Sequence, residues 1–252
     1  MSMPARLPIL MFHTIDDQHS VISFPPSVFR RGLARLHDCG YRTLSLLEVW
    51  EYIRQKAKFP SRTLVITFDD GYETVYREAF PILQQHGMSA TVFLTVGDAG
   101  ARNGRLASLE GRSMLSWSQV REMRREGIHF GAHTLTHPDL TRLPLERAES
   151  EICESKIIIE DALGEPVETF AYPFGRYDGR CRKIVSQNFT VGCSDELAMI
   201  TARSDRFALE RVDASYFRRD RLFDIILTPL FPWYVSVRGI PRRIRPDVPP
   251  FI

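Results

Sequence analysis

Two short motifs in the sequence carry side chains that can bind a metal ion. Asp69 and Asp70 directly follow the apolar run Thr63–Phe68, and His133 and His137 stand four residues apart in HTLTH. Two imidazoles and one carboxylate hold a divalent cation and leave coordination positions open for water and substrate. The remaining carboxylate can accept a proton from that water. This division of roles suits the hydrolysis of an amide.

Neither motif is specific when it stands alone. Most pairs of histidines at this spacing bind no metal, and Asp-Asp-Gly is more often a turn or a helix cap. Here, however, each motif comes directly after a predicted strand: Asp69 follows TLVITF, and His133 follows IHFGA. Their joint occurrence at two strand ends favours a shared site over two unrelated loops.

Short apolar runs alternate with helical patterns along most of the chain. Strands are predicted at Leu7–Phe12, Thr63–Phe68, Ala90–Leu94, Ile128–Phe130 and Thr169–Tyr172. Helices are predicted at Pro26–His37, from Ser45 to Ile53, at Glu73–Gln85, from Ser116 to Glu126 and at Leu145–Leu163. This alternation predicts an α/β fold with a parallel sheet, and about seven such units favour a barrel. Because the carboxyl ends of parallel strands share one face, the candidate residues are expected to meet there.

Three segments resemble the motifs of the polysaccharide deacetylases, the NodB-homology group also called carbohydrate esterase family 4. They are TFDDGY at 67–72, HTLTH at 133–137 and FAYPFG at 170–175. The resemblance extends from about residue 7 to residue 213. It implies a distorted (β/α) barrel and the metal-dependent removal of an N-acetyl group from an amino sugar in a poly-, oligo- or lipid-linked saccharide.

The resemblance also implies a role for each matching residue. Asp69 corresponds to the catalytic base, and Asp70, His133 and His137 correspond to the metal ligands. Zinc is the expected metal, with cobalt, nickel and manganese as alternatives. The backbone N–H of Phe174 is expected to help stabilise the oxyanion.

Two positions depart from the usual family pattern. Many members carry an arginine that orients the base at the position where this chain has Ala171. Arg211, in LERVD, resembles the arginine of a subgroup, and it could pair with Asp69 in place of the missing one. The alternative for Arg211 is a surface ion pair. The family's usual late histidine is missing, since no histidine follows His137. The early segment PILMFH, at 8–13, resembles a subgroup in which an early strand ends in histidine, and this resemblance implies that His13 is the general acid. The alternative is a capping or core histidine.

Other functions stay open at this stage. The same site could remove a formyl group, or could act on a lipid-linked monosaccharide, with the glycine-rich loop 97–113 and the C-terminus shaping the pocket. A glycan-binding protein without catalytic activity could also use this fold. Nucleic acid is not an expected partner, because the net charge of +2 is small and no aromatic residues interleave with a basic stripe.

Residues 1–252 are expected to form one deacetylase-like domain, with 214–252 as a C-terminal extension. Within it the apolar run 221–237 is flanked by arginines, and Pro229 and Pro232 are expected to break any helix. One interpretation is a helix packed on the barrel. The other is membrane-surface contact through 219–245, with Trp233 at the headgroup level. No run approaches 18 apolar residues, so a cytoplasmic protein is expected, peripheral to the inner membrane face if this contact forms.

Overall fold

A computed structural model describes residues 6–97, 109 and 111–244. In this part of the chain the strands are β1 (Ile9–Phe12), β2 (Thr14–Ile15), β3 (Ser23–Phe24), β4 (Arg42–Thr43), β5 (Thr63–Phe68), β6 (Thr91–Leu94), β7 (His129–Ala132), β8 (Thr169–Ala171), β9 (Val191–Leu197) and β10 (Leu209–Asp213). The α-helices are α1 (Pro26–Asp38), α2 (Leu46–Arg54), α3 (Phe80–Gln85), α4 (Trp117–Arg125), α5 (Leu145–Leu163), α6 (Gly179–Asn188), α7 (Asp220–Phe223) and α8 (Phe231–Ile244). The loop predicted at 97–113 lies mostly outside the described residues.

Seven parallel strands close into a barrel, which confirms the predicted fold. The strand order is β1-β10-β9-β8-β7-β6-β5, and β1 also pairs with β5 to complete the ring. The short strand β4 adds to β5 outside this ring. Because every pairing in the barrel is parallel, all seven strands deliver their following loops to the same end.

Strand side chains alternate between the inside of the barrel and the surrounding helices. Ile9, Val65, Phe93, Ala171 and Leu209 belong to one buried cluster, which draws on six barrel strands and therefore fills the barrel interior. The residues between them face the helices, in a larger cluster that includes the apolar sides of α1, α4 and α5. Because both faces of the barrel strands are buried, these strands appear in the sequence as continuous apolar runs.

The predicted helix ends are largely correct because the capping signals are local. Ser45 and Glu48 form a reciprocal capping box at α2, and Ser116 and Gln119 form another at α4. The helix predicted at Glu73–Gln85 differs in detail. A π-helical segment, Val75–Ala79, precedes α3, and the N–H of Phe80 donates to the carbonyl of Val75, five residues back.

The C-terminal segment forms a helix that packs on the barrel. The expectation that Pro232 breaks any helix was wrong, because Pro232 lies in the first turn of α8, where a backbone N–H has no intrahelical partner to lose. Phe231 and Val235 are buried, whereas Trp233 and Val237 are exposed. No helix among the described residues combines the length and the apolar character needed to cross a membrane.

Candidate active site

The carboxyl ends of four barrel strands bring the predicted site residues to one rim. Asp69 and Asp70 follow β5, and His133 follows β7. His13 follows β1, and Phe174 lies in the turn after β8. We call this end of the barrel the catalytic rim.

Asp70, His133 and His137 form a compact cluster of potential metal ligands. The Oδ1 atom of Asp70 lies 3.5 Å from Nε2 of His133 and 3.3 Å from Nε2 of His137. One ligand atom from each residue falls within 4.8 Å of the others. Among the described residues, the buried Oδ1 of Asp70 has no hydrogen-bond partner. A buried carboxylate oxygen facing two imidazole nitrogens is best satisfied by a cation, so this donor set fits a divalent metal.

The protonation state of the histidines also suits metal binding. Nδ1 of His133 lies 2.7 Å from the carbonyl oxygen of Ala171, and a carbonyl can only accept, so Nδ1 carries the proton. The lone pair of Nε2 therefore points to the cluster. Burial lowers the pKa of His133 and of His137 to about 4, which keeps both rings neutral near pH 7.

The loop between the two histidines is held by a buried glutamate that sequence analysis missed. Glu151, on α5, accepts hydrogen bonds from the backbone N–H of Leu135 at 3.0 Å and that of Thr136 at 2.9 Å. It also accepts from the Thr136 hydroxyl and from Arg147. Glu151 is only 1% exposed. The available signal was a carboxylate on the packed side of a long helix, where an acidic residue is rare.

Asp69 pairs with Arg211 inside the protein. Nη1 and Nη2 of Arg211 donate to the two carboxylate oxygens of Asp69 at 2.7 and 2.8 Å, and Nε donates to the carbonyl of Ser194 at 2.8 Å. Arg211 is 1% exposed, so the alternative of a surface ion pair was wrong. The predicted pairing is confirmed: the arginine reaches the aspartate from β10, while Ala171 on β8 is fully buried.

The two adjacent aspartates are driven in opposite directions. Burial alone would raise the pKa of Asp69, but the charge and the hydrogen bonds of Arg211 outweigh it and hold that pKa well below its usual range. Burial raises the pKa of Asp70, and the negative charge of Asp69 acts in the same direction. Environments that separate the pKa values of neighbouring carboxyls are typical of sites that use them in different roles.

His13 and Phe174 border the cluster. His13 is half-buried, and its charge lowers the pKa of both Asp69 and Asp70, so it lies within electrostatic reach of each. Phe174 has a left-handed backbone with φ of 55°. Its ring is 56% exposed and stands edge-on to the ring of His137, with the centroids 4.7 Å apart. An exposed aromatic ring therefore forms one wall beside the ligand cluster.

Known proteins are similar in sequence to this chain. The family model described as polysaccharide deacetylase matches residues 56–189. YxkH of Bacillus subtilis (strain 168) is 32% identical over 213 residues, which cover 84% of this chain and 72% of that protein. Staphylococcus aureus poly-beta-1,6-N-acetyl-D-glucosamine N-deacetylase is 28% identical over 187 residues, and the match spans 61% of that enzyme.

A solved structure shows the same fold. The Streptococcus pyogenes deacetylase PplD in complex with acetate superposes with a TM-score of 0.75 at 27% identity. The superposition covers 84% of this chain and 93% of PplD. The likeness therefore includes the barrel that carries the catalytic rim.

Proposed function

This chain belongs to the polysaccharide deacetylase family, and we propose that it removes N-acetyl groups from amino sugars by metal-assisted amide hydrolysis. The observation that carries the proposal is the juxtaposition of two units. The cluster of Asp70, His133 and His137 provides a cation site, and the Asp69–Arg211 pair directly beside it provides an ionised carboxylate.

Asp70, His133 and His137 would hold the metal, and we propose zinc. When bound, such a cation lowers the pKa of a water molecule and polarises an acyl carbonyl. The buried Asp70 oxygen supplies negative charge, and the two neutral imidazoles supply nitrogen donors. Three protein ligands leave room for water and substrate, as hydrolysis requires.

Asp69 would act as the general base. Arg211 keeps its carboxylate ionised and fixes both oxygens in one plane, so the carboxylate is ready to take a proton from the attacking water. The same pairing makes Asp69 a weaker base, because an ion pair stabilises the charged form. In this scheme Arg211 positions Asp69 and does not touch the substrate.

Phe174 and His13 would serve the two remaining steps. We propose that the backbone N–H of Phe174 donates to the oxygen that becomes negatively charged as the carbonyl is attacked. His13 would protonate the departing amine. Its position at the end of β1, within electrostatic reach of both aspartates, supports this assignment.

For the substrate we propose an oligomer or polymer that contains N-acetylglucosamine. The S. aureus relative is named for its action on poly-beta-1,6-N-acetyl-D-glucosamine, and the exposed ring of Phe174 offers a sugar an apolar face beside the cation site. A lipid-linked saccharide or a formyl group would use the same hydrolytic residues. The cytoplasmic location expected from the sequence stays a prediction.

The decisive experiment measures acetate and formate released from a panel of N-acylated amino sugars, with and without chelator. The panel contains N-acetylglucosamine oligomers, their N-formyl analogues and a lipid-linked N-acetylated sugar. We expect acetate release that stops on chelation and is absent in Asp69→Asn. His86→Ala, which changes a histidine away from the catalytic rim, is the matched control and should keep full activity. Bound metal without turnover of any panel member would instead favour a glycan-binding protein.

A further inference from the structure

The last helix of the described chain exposes an apolar stripe to solvent. Leu230 is 64% exposed, Trp233 is 65% exposed and Val237 is 43% exposed. Leu230 immediately precedes α8, and the spacing of three and then four residues to Trp233 and Val237 puts the three side chains on the same side of the helix. The opposite side, with Phe231 and Val235, is buried against the rest of the protein. We call Leu230, Trp233 and Val237 the α8 stripe.

The charged residues within α8 are all basic. From residue 225 to residue 246 the sequence contains four arginines and no acidic residue. Among them, Arg238 is exposed, and its guanidinium lies 5.4 Å from the ring centroids of both Tyr216 and Tyr234. Arg219 and Arg221, also exposed, precede the helix, in a segment that also contains Asp220 and Asp224, of which Asp224 pairs with Arg35. An apolar stripe with a tryptophan and flanking arginines complements acyl chains beneath anionic headgroups.

The α8 stripe belongs to an element that is anchored at the catalytic rim. Gly239 of α8 packs so closely on the carbonyl of Leu197, the last residue of β9, that an added Cβ would lie 2.8 Å from that oxygen. Arg238 contacts Tyr216, which lies in the turn after β10. Both contacts are made at the carboxyl ends of barrel strands, the end that also carries the ligand cluster.

We propose that α8 docks this protein on an anionic lipid surface and so presents the catalytic rim to amino-sugar chains held at that membrane. The α8 stripe enters the boundary between headgroups and acyl chains, and the arginines contact lipid phosphates. The substrate half of this proposal rests on the proposed deacetylase function. The docking half does not, because it depends only on the exposed side of α8.

Vesicle co-sedimentation of the full chain tests the docking directly. We expect the protein to pellet with phosphatidylglycerol-rich vesicles, to bind phosphatidylcholine vesicles more weakly, and to be released from the anionic vesicles by high salt. Trp233→Ser should lower the affinity for anionic vesicles about tenfold, since burial of this side chain in the interface is lost. Leu230→Ser should have a smaller effect in the same direction.

Ile157→Ser is the matched control, because Ile157 is 53% exposed on α5, away from α8, and its replacement should leave vesicle binding unchanged. Thermal unfolding of each variant shows whether the fold is intact. Equal binding of Trp233→Ser and the parent chain would overturn the proposal. A dimer in sedimentation velocity that Trp233→Ser dissolves would also overturn it, by assigning the α8 stripe to a second copy of the chain.

Failure of the docking and failure of the deacetylase function give different results. If only the docking fails, acetate is released from soluble oligomers while no variant changes vesicle binding. If only the deacetylase function fails, vesicle binding still depends on Trp233, but no acylated sugar is hydrolysed. When both hold, hydrolysis of a lipid-anchored N-acetylated sugar in anionic vesicles should fall with Trp233→Ser by about the same tenfold factor as binding.

Discussion

The two ends of the barrel differ in how many residues with side chains adopt the left-handed backbone conformation. At the amino-terminal end, the turns that lead from a helix into the next strand place glycine there: Gly40, Gly87, Gly127 and Gly164. At the catalytic rim glycines adopt it too, at Gly71, Gly97 and Gly175, but so do four residues with side chains: Asp70, Thr134, His137 and Phe174. Lys56 and Arg62, before β5, are exposed exceptions at the amino-terminal end. A left-handed residue other than glycine costs about 1–2 kcal/mol, so the catalytic rim holds more of this backbone strain than the other end does.

Buried charge shows the same contrast. Asp69, Asp70, Glu151 and Arg211 are all buried at or beside the catalytic rim. At the other end of the barrel, the polar groups that start α2 are satisfied by a local capping box. The difference suggests that the amino-terminal end is built for stability, whereas the catalytic rim gives up stability to hold reactive groups in place. The following predictions test that separation, beginning with the largest expected effect.

Asp70→Asn should remove most activity while leaving the metal-free fold intact or more stable. Loss of the only carboxylate in the ligand cluster should reduce turnover at least about a thousandfold, because charge stabilisation by the cation is lost. In chelator, however, a neutral amide relieves a buried carboxylate oxygen that lacks a partner, and the free energy of unfolding should rise by about 1 kcal/mol. Turnover, metal content and thermal unfolding in chelator measure these effects. A lower unfolding temperature in chelator would break the comparison, since Asp70 would then stabilise the fold.

Arg211→Met should reduce both activity and stability. It leaves the Asp69 carboxylate buried without its partner, which costs about 3–5 kcal/mol of unfolding free energy. Because the base is no longer held ionised, turnover should also fall about a hundredfold. Chemical denaturation and steady-state kinetics measure the two losses.

The double variant Asp69→Leu with Arg211→Met separates these effects. It removes both charges, so it should recover much of the stability without recovering activity. If the double variant were as unstable as Arg211→Met, the loss would come from packing around the arginine and not from the unpaired aspartate.

Glu151→Gln should weaken the site without removing any ligand. The amide keeps the size of the side chain but can no longer accept from the Leu135 and Thr136 N–H groups with a full negative charge. We expect metal affinity to fall about 10–100-fold, as for other residues that hold metal ligands in place. Calorimetric titration with zinc or cobalt measures it. Glu149→Gln, on the exposed side of the same helix, is the control and should bind metal normally. An unchanged affinity in Glu151→Gln would mean that the loop holds its shape without this carboxylate.

Sequence reasoning succeeded where the signal is local. The strand Thr63–Phe68 and the helix Leu145–Leu163 have the predicted bounds, because apolar periodicity and end signals lie within the elements themselves. The ligand cluster also followed from local motifs, since parallel strands bring their carboxyl ends together.

Sequence reasoning failed where a residue's hydrogen-bond partner is distant in the chain. Glu151 is sixteen residues from Leu135, and no motif links them. Arg211 was found only through a resemblance, because it is 142 residues from Asp69 along the chain. The left-handed backbone at Thr134 and His137 could not be predicted either, since these residue types seldom adopt it. Tertiary packing, and not local preference, sets the conformation of the catalytic rim.

Gly164→Ala gives the smallest effect and tests the amino-terminal end of the barrel. Gly164 ends α5 with φ of +72°, and a Cβ there would meet no atom within 4 Å, so the only cost is the left-handed conformation itself. The free energy of unfolding should therefore fall by about 1 kcal/mol. Turnover and metal affinity should not change, because α5 holds the ligand loop through Glu151, three turns before this end. If Gly164→Ala lowered turnover as strongly as Glu151→Gln, the two ends of the barrel would be coupled through α5, and the separation of stability from catalysis would not hold.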